Sequence, residues 1–299
     1  MLVTLRRVGL ICLKFSTLVL LLYVTLFFGE RLLLRDPARA RLGPQVAEEQ
    51  VQALRREMGL EGPIAIQFAV ELRHLVRGNL GVSYFYRIPV LVLIQRFLPA
   101  SLMCAYLALV IVGLGTLAVL IACPSRLREA LIDLSRFIAA VPGYLLQLLL
   151  LAIVLRWKAT APTSEGLILV WGVGVGVPLA AWYLFQLAGQ FRELEREPFV
   201  TRYTATGFRP SQIRLRLLKN ITPVAVSLFI NSFSYALLLT FFLEYLFDLQ
   251  GFGIIYLKSV ERNDIPVVTG GALTLAVMIM LNNLLGEVAI WWATRDQTE

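Results

Sequence analysis

The chain has 299 residues, of which 58% are hydrophobic and only 16% are charged. This composition excludes an ordinary soluble domain and predicts an integral membrane protein with room for about six spanning helices and one sizeable part outside the membrane. The formal net charge is +8, but the arginines lie between apolar segments, so membrane topology explains the charge and no nucleic-acid partner is expected. One histidine and three scattered cysteines predict neither a metal site nor a disulfide framework.

The first predicted element is a transmembrane helix within residues 1–29, with its apolar part at residues 9–29. Two arginines precede this part and favour a cytoplasmic start, and no small-residue cleavage site follows it. Residues 30–99 are polar and contain two helical patterns, one from Gln45 to Met58 and one from Pro63 to Gly78. We therefore expect a small helical external subdomain between the first and second spans.

Residues 100–299 predict a membrane core of five further helices, at about residues 100–123, 132–155, 167–187, 221–245 and 268–292. A tight basic turn, Pro124 to Arg128, separates the first two, and a brief external loop is expected at residues 158–166. Val141, Pro142 and Gly143 interrupt the third span of the chain, either as a kink or as a place where neighbouring helices approach.

Three alternate glycines, Gly172, Gly174 and Gly176, lie in an apolar run of the fourth span. Close helix packing explains them better than a nucleotide-binding loop. The predicted fold class is thus an all-α integral membrane protein with six transmembrane helices.

A polar and strongly basic stretch, Glu197 to Pro223, separates the fourth and fifth spans. Its cationic excess favours the cytoplasmic side, so residues 191–220 form a cytoplasmic loop and both chain termini are cytoplasmic. Within this loop, Phe199 to Thr206 predict a short helix after Pro198, and Gly207 ends that helix in a left-handed turn. Pro210 restarts the chain towards Pro223.

The fifth span carries polar side chains that need partners or water inside the membrane. One interpretation is that a face of this helix borders a translocation pathway. The other is that serine and threonine bond back to their own helix while Asn231 pairs across helices. We favour the pathway, whose candidate residues are Asn231, Ser232, Ser234, Tyr235, Thr240 and Glu244.

The basic loop resembles the cytoplasmic EAA loop of permease subunits of ABC importers, in the form found in oligopeptide, dipeptide and nickel importers. The matching positions are Val200, Arg202, Thr204, Ala205, Gly207, Leu218, Asn220 and Pro223. Tyr203 stands where Ala is usual, Thr206 replaces a Lys, and Leu218 takes a His position. Residues 58–83 and 244–270 also resemble the B-type peptide permease, with Asn79 in place of the usual Asp.

This resemblance implies a type I importer fold in which the loop docks into a groove of an ATPase subunit. The residues expected to couple the two subunits are Phe199, Val200, Arg202, Tyr203, Thr204, Ala205, Gly207 and Phe208. It also implies a second homologous permease, one or two ABC ATPases and an extracytoplasmic substrate-binding protein, in a bacterial cytoplasmic membrane. The sequence lacks a P-loop motif, so ATP and Mg²⁺ are expected in the partner subunits and the chain is not itself an enzyme.

Several alternatives stay open at this point. The loop residues could serve only to fold the loop on itself. An ion-gradient-driven secondary transporter or channel, an integral-membrane enzyme, and a degenerate permease with a scaffold or regulatory role are the rival classes. The cargo is also open among peptides, nickel chelates, sugars and antimicrobial peptides.

Overall fold

The structure is a computed structural model that describes residues 2–34, 37–42, 46–57, 60–156 and 172–294. These residues form twelve α-helices and one π-helical turn, Gly172–Gly176, which confirms the predicted all-α class. The helices are α1 (Leu2–Leu34), α2 (Pro37–Leu42), α3 (Glu48–Glu57), α4 (Ile64–Val76), α5 (Val90–Ala122), α6 (Ser125–Ala139), α7 (Gly143–Arg156), α8 (Val177–Glu195), α9 (Pro198–Ala205), α10 (Pro210–Leu246), α11 (Phe252–Glu261) and α12 (Ile265–Thr294).

Among the described residues, three helices are long and apolar enough to cross a membrane, namely Val90–Ala122, Asn220–Leu246 and Ile265–Ile290. They correspond to the predicted second, fifth and sixth spans. The pair α6 and α7 passes the same test together and is bent by 92° at its break. In α1 the apolar part is Leu13–Gly29. The predicted loop at residues 158–166 and the start of the fourth span lie outside the described residues, as do Met58 and Gly59.

Two helices begin earlier than predicted. Helix α5 begins at Val90 rather than at residue 100, since residues 90–98 are largely apolar and Pro99 lies inside the helix. Helix α10 begins at Pro210 and runs without a break through Pro223, so residues 210–220 of the predicted loop are the polar first part of this helix. Membrane helices tolerate an internal proline where neighbouring groups satisfy the freed carbonyl.

The predicted basic turn from Pro124 to Arg128 is also corrected, because Ser125 already begins α6 and Pro124 is its N-cap. The predicted interruption at Val141 to Gly143 is confirmed, and it separates α6 from α7. A Cβ on Gly143 would lie 2.6 Å from the Tyr235 hydroxyl and 2.7 Å from Leu239 Cδ2. The break is therefore both a sharp bend and a place of close helix approach.

The described residues divide into two compact units, one from residues 1–99 and 254–280 and the other from residues 100–253 and 281–299. In the first unit, Tyr23, Phe27 and Leu273 form a buried core. Phe68, Leu72 and Leu75 of α4 pack against this core. The second predicted helix of the 30–99 region thus packs directly on α1.

In the second unit, Val175, Leu239 and Leu243 form a buried core at the π-helical turn. A Cβ on Gly174 would lie 2.5 Å from Leu243 Cδ1, which confirms close packing at this glycine. A Cβ added to Gly176 would have no other atom within 4 Å. The glycine run therefore serves packing at Gly174 and gives no such contact at Gly176.

Candidate coupling helix and buried polar anchors

The basic loop contains a short surface helix, α9, that ends in a Schellman cap. Pro198 occupies its first turn, where the missing N–H is not needed. Gly207 has a φ of 83°, in the left-handed region. The Gly207 N–H donates to the Thr204 carbonyl at 3.1 Å and the Phe208 N–H to the Tyr203 carbonyl at 3.2 Å. These two bonds satisfy the last carbonyls of the helix, so the predicted helix and its glycine stop are confirmed.

Tyr203, the residue that departs most in size from the resembled loops, packs this cap. Its ring lies 5.6 Å from the Phe208 ring and 6.0 Å from the Phe199 ring, centroid to centroid. The guanidinium carbon of Arg216, on α10, lies 4.1 Å from the Phe208 centroid and 5.0 Å from the Tyr203 centroid. Such cation–π contacts contribute about 0.5–1 kcal/mol each at exposed sites. Tyr203 therefore ties α9 to the start of α10.

The other side of α9 is open to solvent, since no residue of this helix is buried. Arg202, Thr204 and Ala205 are exposed, whereas Phe199, Val200, Tyr203 and Phe208 are partly buried. An open cavity of about 470 Å³ adjoins the helix and is lined by Phe199, Tyr203, Arg216 and Asn220. The helix thus presents small residues beside one positive charge, and its aromatic side faces its own chain.

Arg214 fastens the start of α10 to the end of α5. Its Nη1 donates to the Ile121 carbonyl at 3.1 Å and to the Cys123 carbonyl at 2.9 Å. The last carbonyls of a helix have no partner within the helix, and a cation is favourable at that negative end of the helix dipole. This contact therefore satisfies the C-terminus of α5 and holds α10 against it.

Ion pairs fasten the last turn of α8, the helix before α9, to α6. Arg128 Nη1 lies 2.9 Å from Glu195 Oε1, and the Arg128 side chain is only 10% exposed. Arg192 pairs with Glu129 in the same region. Since α8 ends at Glu195 and α9 begins at Pro198, this network fixes the segment that leads directly into α9.

The six candidate pathway residues of α10 lie at different depths. Ser232, Thr240 and Glu244 are completely buried in the subunit's own packing, Ser234 and Tyr235 are partly buried, and Asn231 is exposed. Ser232 donates to the Leu228 carbonyl at 2.7 Å, which is the back-bonding alternative at that position. Pathway lining stays a prediction, and in this conformation Asn231, Ser234 and Tyr235 are the ones that reach the surface.

Glu244 anchors the turn after α10. Its carboxylate accepts from the Ser101 hydroxyl at 2.6 Å and from the Gly253 N–H at 2.6 Å. Ser101 Oγ in turn accepts from the Phe252 N–H at 2.9 Å. A Cβ on Gly253 would lie 2.4 Å from Phe241 Cα, so this position admits no side chain. The acid and glycine of the motif at residues 244–253 therefore meet in one buried contact.

Gln147 joins three helical segments of the second unit. Its Nε2 donates to the Gly174 carbonyl at 3.0 Å and to the Leu239 carbonyl at 2.8 Å, and the residue is fully buried. The first acceptor lies in the π-helical turn, where the regular helical ladder is interrupted. Gln147 thus connects α7 to that turn and to α10.

In the first unit, Asp264 binds the loop before α5. Its carboxylate accepts from the Ser83 hydroxyl at 2.5 Å, the Tyr84 N–H at 2.9 Å and the Phe85 N–H at 3.1 Å. Burial raises the pKa of the neighbouring Tyr86 phenol, although the Arg262 charge opposes that shift. The two motifs at residues 78–83 and 264–270, far apart in sequence, therefore pack together.

Sequence reasoning missed Arg214, Gln147 and Ser101, whose partners lie 27 to 151 residues away. No periodicity or spacing signals such a contact. The Glu244 contact with Gly253 spans only nine residues, and the acid-to-glycine spacing of that motif was a signal for it. Among the residues described, no group of three or more His, Cys, Asp or Glu is placed to hold a metal ion.

Comparison with known proteins gives one family and several relatives. Residues 111–295 match the family described as "Binding-protein-dependent transport system inner membrane component". The chain is 28% identical to the probable peptide ABC transporter permease protein y4tP of Sinorhizobium fredii, over 89% of this chain and 90% of the relative. It is 25% identical to the metal-staphylopine import system permease protein CntB of Staphylococcus aureus, over 82% and 81% of the two chains. It is 26% identical to the glutathione transport system permease protein GsiC of Salmonella paratyphi A, over 90% and 91%.

Proposed function

The chain belongs to the binding-protein-dependent transport system inner membrane component family, and from this membership we propose that it forms half of the translocation pathway of an ATP-driven importer. It is a multi-pass membrane permease component of the oligopeptide and dipeptide type, and not itself an enzyme. The proposed partners are a second homologous permease, one or two ABC ATPase subunits that bind ATP and Mg²⁺, and an external substrate-binding protein. Such a chain lies in a bacterial cytoplasmic membrane.

The observation that carries the coupling proposal is the build of α9. The helix is wholly on the surface, yet its C-terminal cap and the Arg216 contacts hold it firmly against α10. We place this helix in a groove of an ATPase subunit, with Ala205 and Thr204 at the closest approach and Arg202 beside an acidic rim. Ala205 is small enough to allow that approach.

Motion of the ATPase then reaches the membrane through the anchors at both ends of α9. Arg214 transmits a displacement of α10 to the end of α5, and the ion pairs of Glu195 and Arg192 transmit it to α6. A rigid cap matters here because a helix that frayed at Gly207 would absorb part of the displacement. Coupling therefore depends on backbone stiffness as well as on contact residues.

The proposed pathway surface on α10 comprises Asn231, Ser234 and Tyr235, with Ser232, Thr240 and Glu244 packed behind it. The proposed cargo is a peptide or a related small solute, because the relatives are named for peptide, glutathione and metal-staphylopine transport. Polar side chains on such a surface exchange hydrogen bonds with water or cargo as the pathway opens.

The proposed topology places both chain termini and the 191–220 loop in the cytoplasm. Residues 1–29 then form the N-terminal transmembrane helix, residues 30–99 an external subdomain that receives the binding protein, and residues 100–299 the five-helix core. The excess of arginine and lysine in the loop before α10 supports this orientation.

The direct test is uptake by the assembled complex. The chain is purified together with the proposed ATPase and permease partners, reconstituted into proteoliposomes and supplied with binding protein and labelled peptides. ATP-dependent uptake that requires the binding protein is the expected result. Uptake by this chain alone along a proton or sodium gradient would instead identify a secondary transporter, and an assembled complex without ATP-dependent uptake would indicate a scaffold.

A further inference from the structure

Helix α6 has three distinct faces. One face carries Arg128, Ile132 and Ser135 and is buried in its unit. A second carries the charged residues Glu129, Asp133 and Arg136, together with Arg126. The third is an exposed apolar stripe formed by Leu127, Leu134 and Phe137, whose exposed fractions are 51%, 55% and 82%. Leu127 and Leu134 are seven positions apart and Leu134 and Phe137 are three apart, so these three residues share one side of the helix.

The charge content of α6 excludes it as a spanning helix. Five of its 15 residues are charged, whereas charged groups inside a bilayer are costly and rare. The helix is bent by 92° from the apolar helix that follows, at Ala140 to Pro142. If α7 enters the membrane along the membrane normal, a helix at right angles to it runs parallel to the membrane surface. High amphipathicity with low overall hydrophobicity is typical of helices that lie in the lipid interface.

We propose that α6 is an interfacial helix that binds the phospholipids of the cytoplasmic leaflet. Leu127, Leu134 and Phe137 enter the boundary between headgroups and acyl chains. Arg126 and Arg136 face the phosphates of anionic lipids, and Arg136 also pairs with Asp133 at 3.2 Å. The choice of leaflet rests on the proposed function, which puts the neighbouring loop in the cytoplasm. The occupant is lipid because the stripe is both apolar and flanked by cations, which matches an acyl boundary below an anionic headgroup.

This placement has a consequence for the loop that follows α8. The charged face of α6 holds Arg192 and the buried face holds Glu195, through Glu129 and Arg128 respectively. A helix seated on the lipid surface therefore provides a fixed point beside α9. The network gives the membrane surface a direct mechanical contact with the proposed coupling helix.

Depth measurements test the inference in the assembled complex. Cys12, Cys104 and Cys123 are replaced by serine, and a single cysteine is introduced by Phe137→Cys or, at an exposed position on the side of the helix opposite Leu134, by Ser125→Cys as the matched control. Each is labelled with an environment-sensitive fluorophore in nanodiscs whose lipids carry spin labels at shallow or deep acyl positions. Leu134→Cys, on the same stripe, serves if Phe137→Cys does not assemble.

We expect the label at position 137 to be quenched by shallow spin labels, about 5–10 Å below the headgroups, and the label at position 125 to be quenched by aqueous iodide. Stronger quenching at 137 by the deep spin labels would overturn the interfacial placement and indicate a re-entrant helix. Protection of 137 from both lipid quenchers and iodide would also overturn it, because a protein surface would then cover the stripe.

The arginines give an independent measurement, the retention of phosphatidylglycerol over phosphatidylcholine by the purified complex. Arg126→Gln and Arg136→Gln should each lower this preference about fivefold, whereas Arg73→Gln on α4 should not change it. An unchanged preference in the double variant would refute the headgroup contact. Finally, an impermeant thiol reagent that reaches the cysteine at position 125 only from the outer side would refute the proposed topology, while the quenching depth still reports the interfacial placement separately.

Discussion

The C-terminal cap of α9 gives the sharpest test of coupling, because Gly207 acts through its backbone alone. Its φ is 83°, and an added Cβ would meet nothing within 4 Å. Alanine there therefore creates no clash with neighbouring residues and changes only the cost of the left-handed conformation. We consider the series Gly207→Asn, Gly207→Ala and Gly207→Val.

The left-handed conformation costs an ordinary residue about 1–2 kcal/mol, less for asparagine and more for a β-branched residue. A cost of about 1.4 kcal/mol lowers the ratio of capped to frayed helix roughly tenfold. We therefore expect transport per ATP hydrolysed to fall progressively from Asn through Ala to Val. Basal ATP hydrolysis by the proposed complex should persist, since the proposal places the ATPase sites in other subunits.

The assay measures binding-protein-stimulated ATP hydrolysis and peptide uptake in the same proteoliposomes. Gly189→Ala is the matched control, because Gly189 is an exposed helical glycine that likewise has nothing within 4 Å and no positive φ. Equal coupling in all three Gly207 variants, with the complex assembled, would refute the reasoning. An equal loss in Gly189→Ala would refute it too.

Three further substitutions test the buried anchors. Arg214→Met should lower the thermal unfolding midpoint of the purified complex, because it leaves two carbonyls at the end of α5 without their charged donor. Arg209→Met, at an exposed arginine, should lower the midpoint less. Equal midpoints would argue against a stabilising contact between Arg214 and α5. Glu244→Ala should lower the free energy of unfolding by about 1–3 kcal/mol for each of the two donors left unpaired, the Ser101 hydroxyl and the Gly253 N–H. Ser101→Ala should lower it less, and the loss of correctly folded protein in detergent measures both effects. Asp264→Asn should expose the loop at residues 83–87 to external protease, and unchanged protection would show that the three bonds to Asp264 do not hold it.

The existence of the long helices followed from apolar runs, but their starts did not. Hydropathy marks where a helix enters the membrane, whereas the hydrogen-bond ladder of α10 continues through polar residues back to Pro210. Helix α5 continues through Pro99 into the largely apolar residues 90–98, which the prediction had assigned to the external region. Proline at position 210 fits a helix start as well as a loop, so composition alone could not distinguish them.

The candidate site was predictable where its signals are local. Pro198 and Gly207 bracket α9 at the positions that proline and glycine favour at helix ends, and the cap follows from those two residues. The contacts of Arg214 and Gln147 were not predictable from the sequence. Both side chains bind backbone carbonyls, and because every residue has one, the residue type at the acceptor position gives no signal for the contact. Glu244 is intermediate, since its glycine partner is near in sequence but its Ser101 partner is not.

The most direct test of the account is a crosslink from the surface of α9. Ala205→Cys, in a cysteine-free background, is paired with single cysteines along the groove of the ATPase subunit and exposed to a mild oxidant with and without ATP. The account predicts a disulfide with the ATPase whose yield changes when nucleotide binds, and none for Ile66→Cys on the exposed face of α4. A cysteine at 205 that reacts only with reagents from the outer side, or that never reaches the ATPase in a transporting complex, would contradict it.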